Sequence, residues 1–236
     1  KDVTAAVAEF EHKPAGKFKY VTNIDEAEIR RVAEALTQSE RAVIYCGGGV
    51  VASGAGEDLR ELVQKADIPA AYTLMAAGVM GYEDPHNLGL LGMHGGLVSN
   101  LAVDQADLVL AFGTRFDDRV ASDTEKFARN AKVVHIDIDP SEVNKNVRVD
   151  YSLVGDAGDV IRAMLPFVEE KRHEEWMNWI NEKKKADYHP VDDDRVIRPH
   201  QLMRSLCRMA GEDAVYVTDV GQHQMWAAQY IRHVKP

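Results

Sequence analysis

Ala42-Val43-Ile44-Tyr45-Cys46-Gly47-Gly48-Gly49 is an apolar run that stops on three glycines. Five apolar residues with no polar alternation describe a strand buried on both faces, the signature of a parallel sheet. The same shape recurs at Leu108-Val109-Leu110-Ala111-Phe112, closed by Gly113, and from Val133 to Asp139, ahead of Pro140. Pro69 to Thr73 and Ser152 to Val154 complete five predicted strands, the last running into Gly155-Asp156. Helical spacing fills the gaps. Ile29, Val32, Ala33 and Leu36 share a face behind Asn23 as cap, with Asp25, Glu26 and Glu28 in the first turn. Leu59, Leu62, Val63 and Ala66 do the same in a helix from about Ala55, and further helices are expected around Ser99–Gln105 and from Asp156 to about Glu170. This alternation predicts an α/β fold, a doubly wound parallel sheet, over residues 23–170.

The flanks read differently. Residues 1–22 hold no sustained period and carry Pro14 and Gly16, so a connector is expected. Residues 171–198 combine a charge-rich helix carrying Trp176, Trp179 and Ile180 with Asp192-Asp193-Asp194 between prolines, which reads as a linker. Residues 199–236 read as the beginning of a second α/β domain: a helix from His200 to Met209, a strand from Ala214 to Thr218, a loop, and a helix from Gln224. With Lys1 in place of Met, the chain is expected to be a piece of a longer one.

Bulk properties exclude several classes. Across 236 residues, 28 Lys and Arg face 38 Asp and Glu, a net charge of −10 with no basic block, which leaves no footprint for nucleic acid. No apolar run approaches the roughly 18 residues of a membrane span. Cys46 and Cys207 make no C-x-x-C pair, so neither a disulfide framework nor a zinc knuckle is signalled and a reducing compartment is expected, the cytoplasm in preference to an organelle reached with a transit peptide that is then removed. No H-E-x-x-H, G-x-S-x-G or P-loop is present, and no metal site is expected.

Open parallel sheets bind ligands beyond the carboxyl ends of their strands. At the first such end, Gly47, Gly48, Gly49 and Ala52 match G-x-G-x-x-A, which serves either a phosphate or an ordinary tight turn. The second ends at Thr73-Leu74-Met75, without the acid an NAD site requires. At the third, Gly113-Thr114-Arg115-Phe116-Asp117-Asp118-Arg119 interleaves two arginines with two aspartates, a phosphate grip or a solvated charge cluster. The fourth brings Asp137 and Asp139 to one side in period-2 geometry, suited to ribose hydroxyls, although Asp139 is equally placed to cap the next helix. Gly155-Asp156 repeats the pattern at the fifth. Met93-His94, inside a glycine-flanked loop, is a soft pair able to face an aromatic ring system. Together these ends favour a long dinucleotide.

Leu91-Gly92-Met93-His94-Gly95, Gly113-Thr114-Arg115-Phe116-Asp117-Asp118-Arg119-Val120, His135-Ile136-Asp137-Ile138-Asp139 and the run from Val220 to Gln229 resemble the large catalytic subunit of the acetolactate synthase (acetohydroxyacid synthase) family, in order and spacing along essentially the whole chain. That resemblance implies a central FAD-binding domain followed by the start of a thiamine diphosphate-binding domain. It implies FAD against Gly47, Gly48, Gly49, Thr73, Leu74, Met75, Met93, His94, Gly113, Arg115, Asp117, Arg119 and Val120. The adenosine end would meet Asp137, Ile138, Glu142, Gly155 and Asp156. Gly221, Gln222 and His223 would approach thiamine diphosphate and Gln224 the flavin, with Met93, Asp118 and Arg119 near a 2-ketoacid substrate.

In such enzymes pyruvate is decarboxylated on thiamine diphosphate and joined to a second 2-ketoacid, pyruvate or 2-ketobutyrate, in branched-chain amino-acid biosynthesis. FAD is bound without net redox chemistry. The resemblance also implies a homo-oligomer, possibly with a small regulatory subunit. No catalytic residue is expected in this segment, because the family's glutamate and its G-D-G magnesium motif find no match here; the segment by itself is expected to be inactive. Glyoxylate carboligase and pyruvate oxidase, which share the central fold, and a non-catalytic nucleotide-binding module stand as the alternatives.

Overall fold

The computed structural model describes residues 24–187 and 190–236. The expected connector over 1–22 and the cap at Asn23 lie outside the described residues. Six strands, β1 (Ala42–Cys46), β2 (Ala70–Tyr72), β3 (Asn87–Leu90), β4 (Leu108–Phe112), β5 (Lys132–Asp137) and β6 (Tyr151–Val154), form one parallel sheet in the order β3-β2-β1-β4-β5-β6. The chain leaves β1 toward one edge and returns at β4 toward the other, so the topological switch falls between their carboxyl ends.

Helices cover both faces. Ile44, Cys46, Leu110 and Phe112 pack under α1 (Glu26–Gln38), α3 (Gly56–Ala66) and α5 (Ala157–Met164) through Ile29, Leu59, Leu62 and Ile161. Val43, Tyr45, Val109 and Ala111 pack on the other side against α4 (Leu97–Gln105) and α6 (Glu174–Ala186). The short α2 (Gly48–Ala52) follows β1 directly. Asp25 caps α1, its carboxylate accepting from the Ala27 amide at 2.9 Å. The neighbouring α7 (Pro199–Ala210) and α8 (Gln222–Tyr230) pair around Met203, Ala227 and Ile231.

Three sequence expectations are corrected. Strand β3 was not anticipated: Asn87-Leu88-Gly89-Leu90 is only partly buried at the sheet edge and reaches β2 through a register shift. The helix inside the expected linker is a layer of the sheet, since Trp176 and Ile180 enter the second core and Trp176 Nε1 donates to the Ala42 carbonyl at 3.1 Å. The strand expected over 214–218 is absent among the described residues. Val215 and Val217 there are 88% and 89% exposed, and alternating apolar residues make a strand only where a neighbour accepts their hydrogen bonds.

Candidate functional site

Backbone closeness builds the site. A Cβ on Gly47 would stand 2.3 Å from the Gly113 carbonyl oxygen, and one on Gly49 would stand 2.6 Å from Gly113 Cα. Gly113 itself has φ +59°, in the left-handed region that favours glycine. These three glycines therefore let the ends of β1 and β4 touch. Gly48 also lines the cleft beyond the switch point, but a Cβ there would meet only the Met75 side chain, 3.2 Å from its Cβ.

That cleft, about 820 Å³, is walled by Tyr45, Gly48, Gly49, Ala52, Thr73 and Met75 on the β1–β2 side. The β4 loop closes it with Gly113 to Asp117, and Asp137, Ile138, Asp156, Ala157 and Asp159 complete it. A second cleft of about 550 Å³ shares Thr73, Met75 and Asp117 with the first. It runs on past Leu74, His94, Arg119 and Val120 to Val220, Gly221 and Gln224 of the neighbouring unit. Gln229 Nε2 donates to the His94 carbonyl at 2.9 Å and ties the two sides together. The two clefts form one elongated trough whose wall changes from carboxylate-rich to apolar.

The hydrogen bonds give each wall residue its state. Asp137, buried at the end of β5, accepts from the Asp139 amide at 2.9 Å. The strand stops there, so Asp139 does not share its face: it caps the 3-10 turn Pro140–Glu142, and its bond to Ser141 holds its carboxyl below the usual range. Asp156 caps α5, accepting from Gly158 and Asp159 amides at 2.9 and 3.2 Å. Asp117 accepts from the Arg119 amide at 3.0 Å. Burial and the nearby Asp117 charge push the Tyr45 phenol upward, so it meets the trough as a neutral hydroxyl. Phe116 has φ +47°, a rare conformation for a bulky side chain, and is wedged between Tyr45, Phe127 and His135.

Of the residues expected at the site, Gly47 lies beneath the trough, Gly155 is a buried turn bonded to the Asp137 carbonyl at 2.9 Å, and Met93, 62% exposed, stands outside the wall. Asp118, Gln222 and His223 are exposed and line neither cleft. Glu142 also lies off the lining, with Oε1 on Lys145 at 2.6 Å and Oε2 buried without a partner among the described residues. Tyr45, Thr114, Phe116, Asp159 and Leu90 line the trough although the sequence reading did not select them. Tyr45 was hidden inside an apolar strand, where period-2 counting from Gly47 was the available signal.

Such a trough, beyond the carboxyl ends of the strands at the switch point, is where doubly wound α/β domains take their ligands. The family model described as "Thiamine pyrophosphate enzyme, central domain" matches residues 29–164, and the chain belongs to that family. It is 42% identical over 219 residues to the "Probable acetolactate synthase large subunit" of Methanocaldococcus jannaschii, covering 89% of this chain and 37% of that protein. It is 38% identical over 251 residues to "Acetolactate synthase" of Mycobacterium bovis, covering 100% of this chain and 40% of that protein. With the "Acetolactate synthase isozyme 1 large subunit" of Escherichia coli it shares 37% over 233 residues, covering 97% of this chain and 41% of that protein. The chain thus spans about two fifths of the length of these relatives.

Proposed function

We propose that this chain is the FAD-holding central part, with the start of the diphosphate-binding domain, of an acetolactate synthase large subunit. The complete protein would join two 2-ketoacids using thiamine diphosphate and magnesium, as a cytoplasmic homo-oligomer. One observation carries the FAD reading: the trough is continuous, with hydroxyl-accepting carboxylates at one end and apolar surface at the other. Two buried hydroxyl oxygens on residues of its wall, Thr73 Oγ1 and Thr114 Oγ1, have no partner among the described residues, which fits a polar ligand. Replacement of Gly48 by any larger residue would intrude there.

Each end has its own chemistry. Asp117, Asp137, Asp156 and Asp159 face a single arginine, Arg115, in the first cleft, so that end favours hydroxyl donors such as an adenosine ribose over phosphates. Arg115, the exposed cation of the first cleft, is the group able to meet a diphosphate, whereas Arg119 lines only the second cleft, toward the ring end. Leu74, Met75, Leu90, Leu91 and Met225 offer the flat apolar packing a ring system needs. Arg119 also suits the carboxylate of a 2-ketoacid entering past Gly221 and Gln224. When bound, thiamine diphosphate supplies the electron sink for decarboxylating a 2-ketoacid.

Flavin fluorescence titration with ADP as competitor tests the direction of the cofactor. A lost charge-assisted hydrogen bond is worth ~1.5–3 kcal/mol, so Asp137→Ala and Arg119→Ala should each weaken FAD roughly ten- to a hundredfold. Only Asp137→Ala should impair ADP. Equal effects on ADP, or none on FAD, would show the orientation to be wrong. Acetolactate formed from pyruvate by the complete protein tests the activity.

A further inference from the structure

His135 lies at the centre of β5, wholly buried, with no role in the reading above. Its side chain falls on the same sheet face as Val133 and Asp137, packed edge-on against Phe116 with ring centroids 4.9 Å apart. Its Nε2 lies 2.8 Å from the Thr114 carbonyl oxygen. A carbonyl only accepts, so Nε2 carries the proton. The same nitrogen is 3.7 Å from Asp137 Oδ2, and Nδ1 is buried with no partner among the described residues. An apolar residue would fill this position without leaving a ring nitrogen unsatisfied, so packing does not explain a histidine here.

What the imidazole holds is the β4 loop. Between Gly113 at φ +59° and Phe116 at φ +47°, the backbone reverses twice in the left-handed region. The loop is held from outside by Gly113 N to the Ile136 carbonyl at 2.7 Å, Gly49 N to the Gly113 carbonyl at 3.2 Å, His135 Nε2 to Thr114 O, and Asn146 Nδ2 to Arg115 O at 3.0 Å. Of the two side-chain bonds the histidine's is the buried one, and it holds the middle of the wall. Asp117 follows immediately, lines both clefts, and nucleates the turn that carries Arg119 and Val120 through its bonds to the 119–121 amides.

We propose that His135 is a positioning residue for the cofactor. Its Nε2–H pins the Thr114–Asp117 wall while standing beside Asp137, and so sets the width of the trough between the β4 loop and the β5 end. The proposal rests on the cofactor reading above for its ligand but not for its geometry.

The test compares His135→Leu with His135→Gln in the full chain. Leucine fills the apolar site but removes the donor; glutamine reaches outward with an amide donor near the Nε2 position. Stability and binding should therefore rank in opposite order. His135→Leu should unfold at a denaturant concentration equal to or above that of His135→Gln, yet bind FAD about tenfold more weakly than the unmodified chain, the effect of one buried hydrogen bond. His135→Gln should stay within about threefold of unmodified affinity on the same reasoning. Hydrogen exchange supplies a readout that needs no flavin: amides 119–121 should exchange faster in His135→Leu and be restored in His135→Gln. Affinity that follows stability across the pair, or unchanged exchange at 119–121 in His135→Leu, would overturn the assignment. If the unmodified chain binds no FAD, the cofactor reading falls, and the exchange comparison alone decides whether His135 holds the loop.

Discussion

Replacing Gly49 by alanine separates the two uses a glycine loop can have. The added Cβ would sit 2.6 Å from Gly113 Cα, some 0.8 Å inside the 3.4 Å where ordinary van der Waals contact begins. Both residues are held by backbone hydrogen bonds, because Gly49 N, in α2, donates to Gly113 O at 3.2 Å and Gly113 N donates to Ile136 O at 2.7 Å. Neither side can rotate away, so the ends of β1 and β4 must move apart. Overpacking of this kind costs about 1–3 kcal/mol. At ~2 kcal/mol the midpoint should fall by roughly 4–8 °C for a domain of this size.

Gly48→Ala is the informative control. Its Cβ would meet Met75 Cβ at 3.2 Å, a tightness relieved by a few tenths of an ångström in a turn whose side chain is 73% exposed. Gly48 also lies within α2, where alanine gains ~0.5–1 kcal/mol in helix propensity. Urea unfolding followed by circular dichroism should show Gly49→Ala clearly destabilised and Gly48→Ala unchanged or slightly stabilised, with FAD affinity reduced in the latter. Equal midpoints for Gly49→Ala and the unmodified chain, or an equal loss in Gly48→Ala, would refute the claim that close backbone approach is what requires glycine at position 49.

Two further outcomes are expected. Burial alone would raise the Asp67 carboxyl, but hydrogen bonds from the His86 ring at 2.9 Å and the His173 amide at 2.9 Å more than offset it and hold the pKa below its ordinary value. A depressed carboxyl contributes stability above its unfolded pKa of about 3.9 and loses it as pH falls through the lower folded value; Asp67→Asn should therefore narrow the gap in unfolding midpoint between pH 6 and pH 3. Burial pushes the Cys46 thiol up to about 12, whereas Cys207 is only half-buried; thiol titration at pH 8 should modify Cys207 alone in the folded chain, and early loss of Cys46 would contradict the packing of β1.

Much of the architecture was written in local pattern. Strands β1 and β4 are apolar on both faces because helices cover both sides, so each was legible as an unbroken run without knowledge of its neighbours, and β5 was legible from Val133, Val134 and Ile136. The helices facing them were legible from 3.6-residue spacing for the same reason, and glycine or aspartate at the strand ends marked where a ligand would lie. Tertiary structure alone decided the rest. Strand β3 holds Asn87 and Gly89 and exists because β2 offers it a ladder, while the stronger-looking run at 214–218 has no ladder and stays irregular. Trp176 made a charged segment part of the core once it reached the Ala42 carbonyl. The glycine triplet carried the same three letters at each position, yet Gly47 and Gly49 answer to Gly113 across the sheet while Gly48 answers to the trough. Sequence thus determined which segments could be buried, because burial follows the chemistry of each side chain. Which polar group meets which partner was settled only by strand order, because those partners lie tens of residues apart.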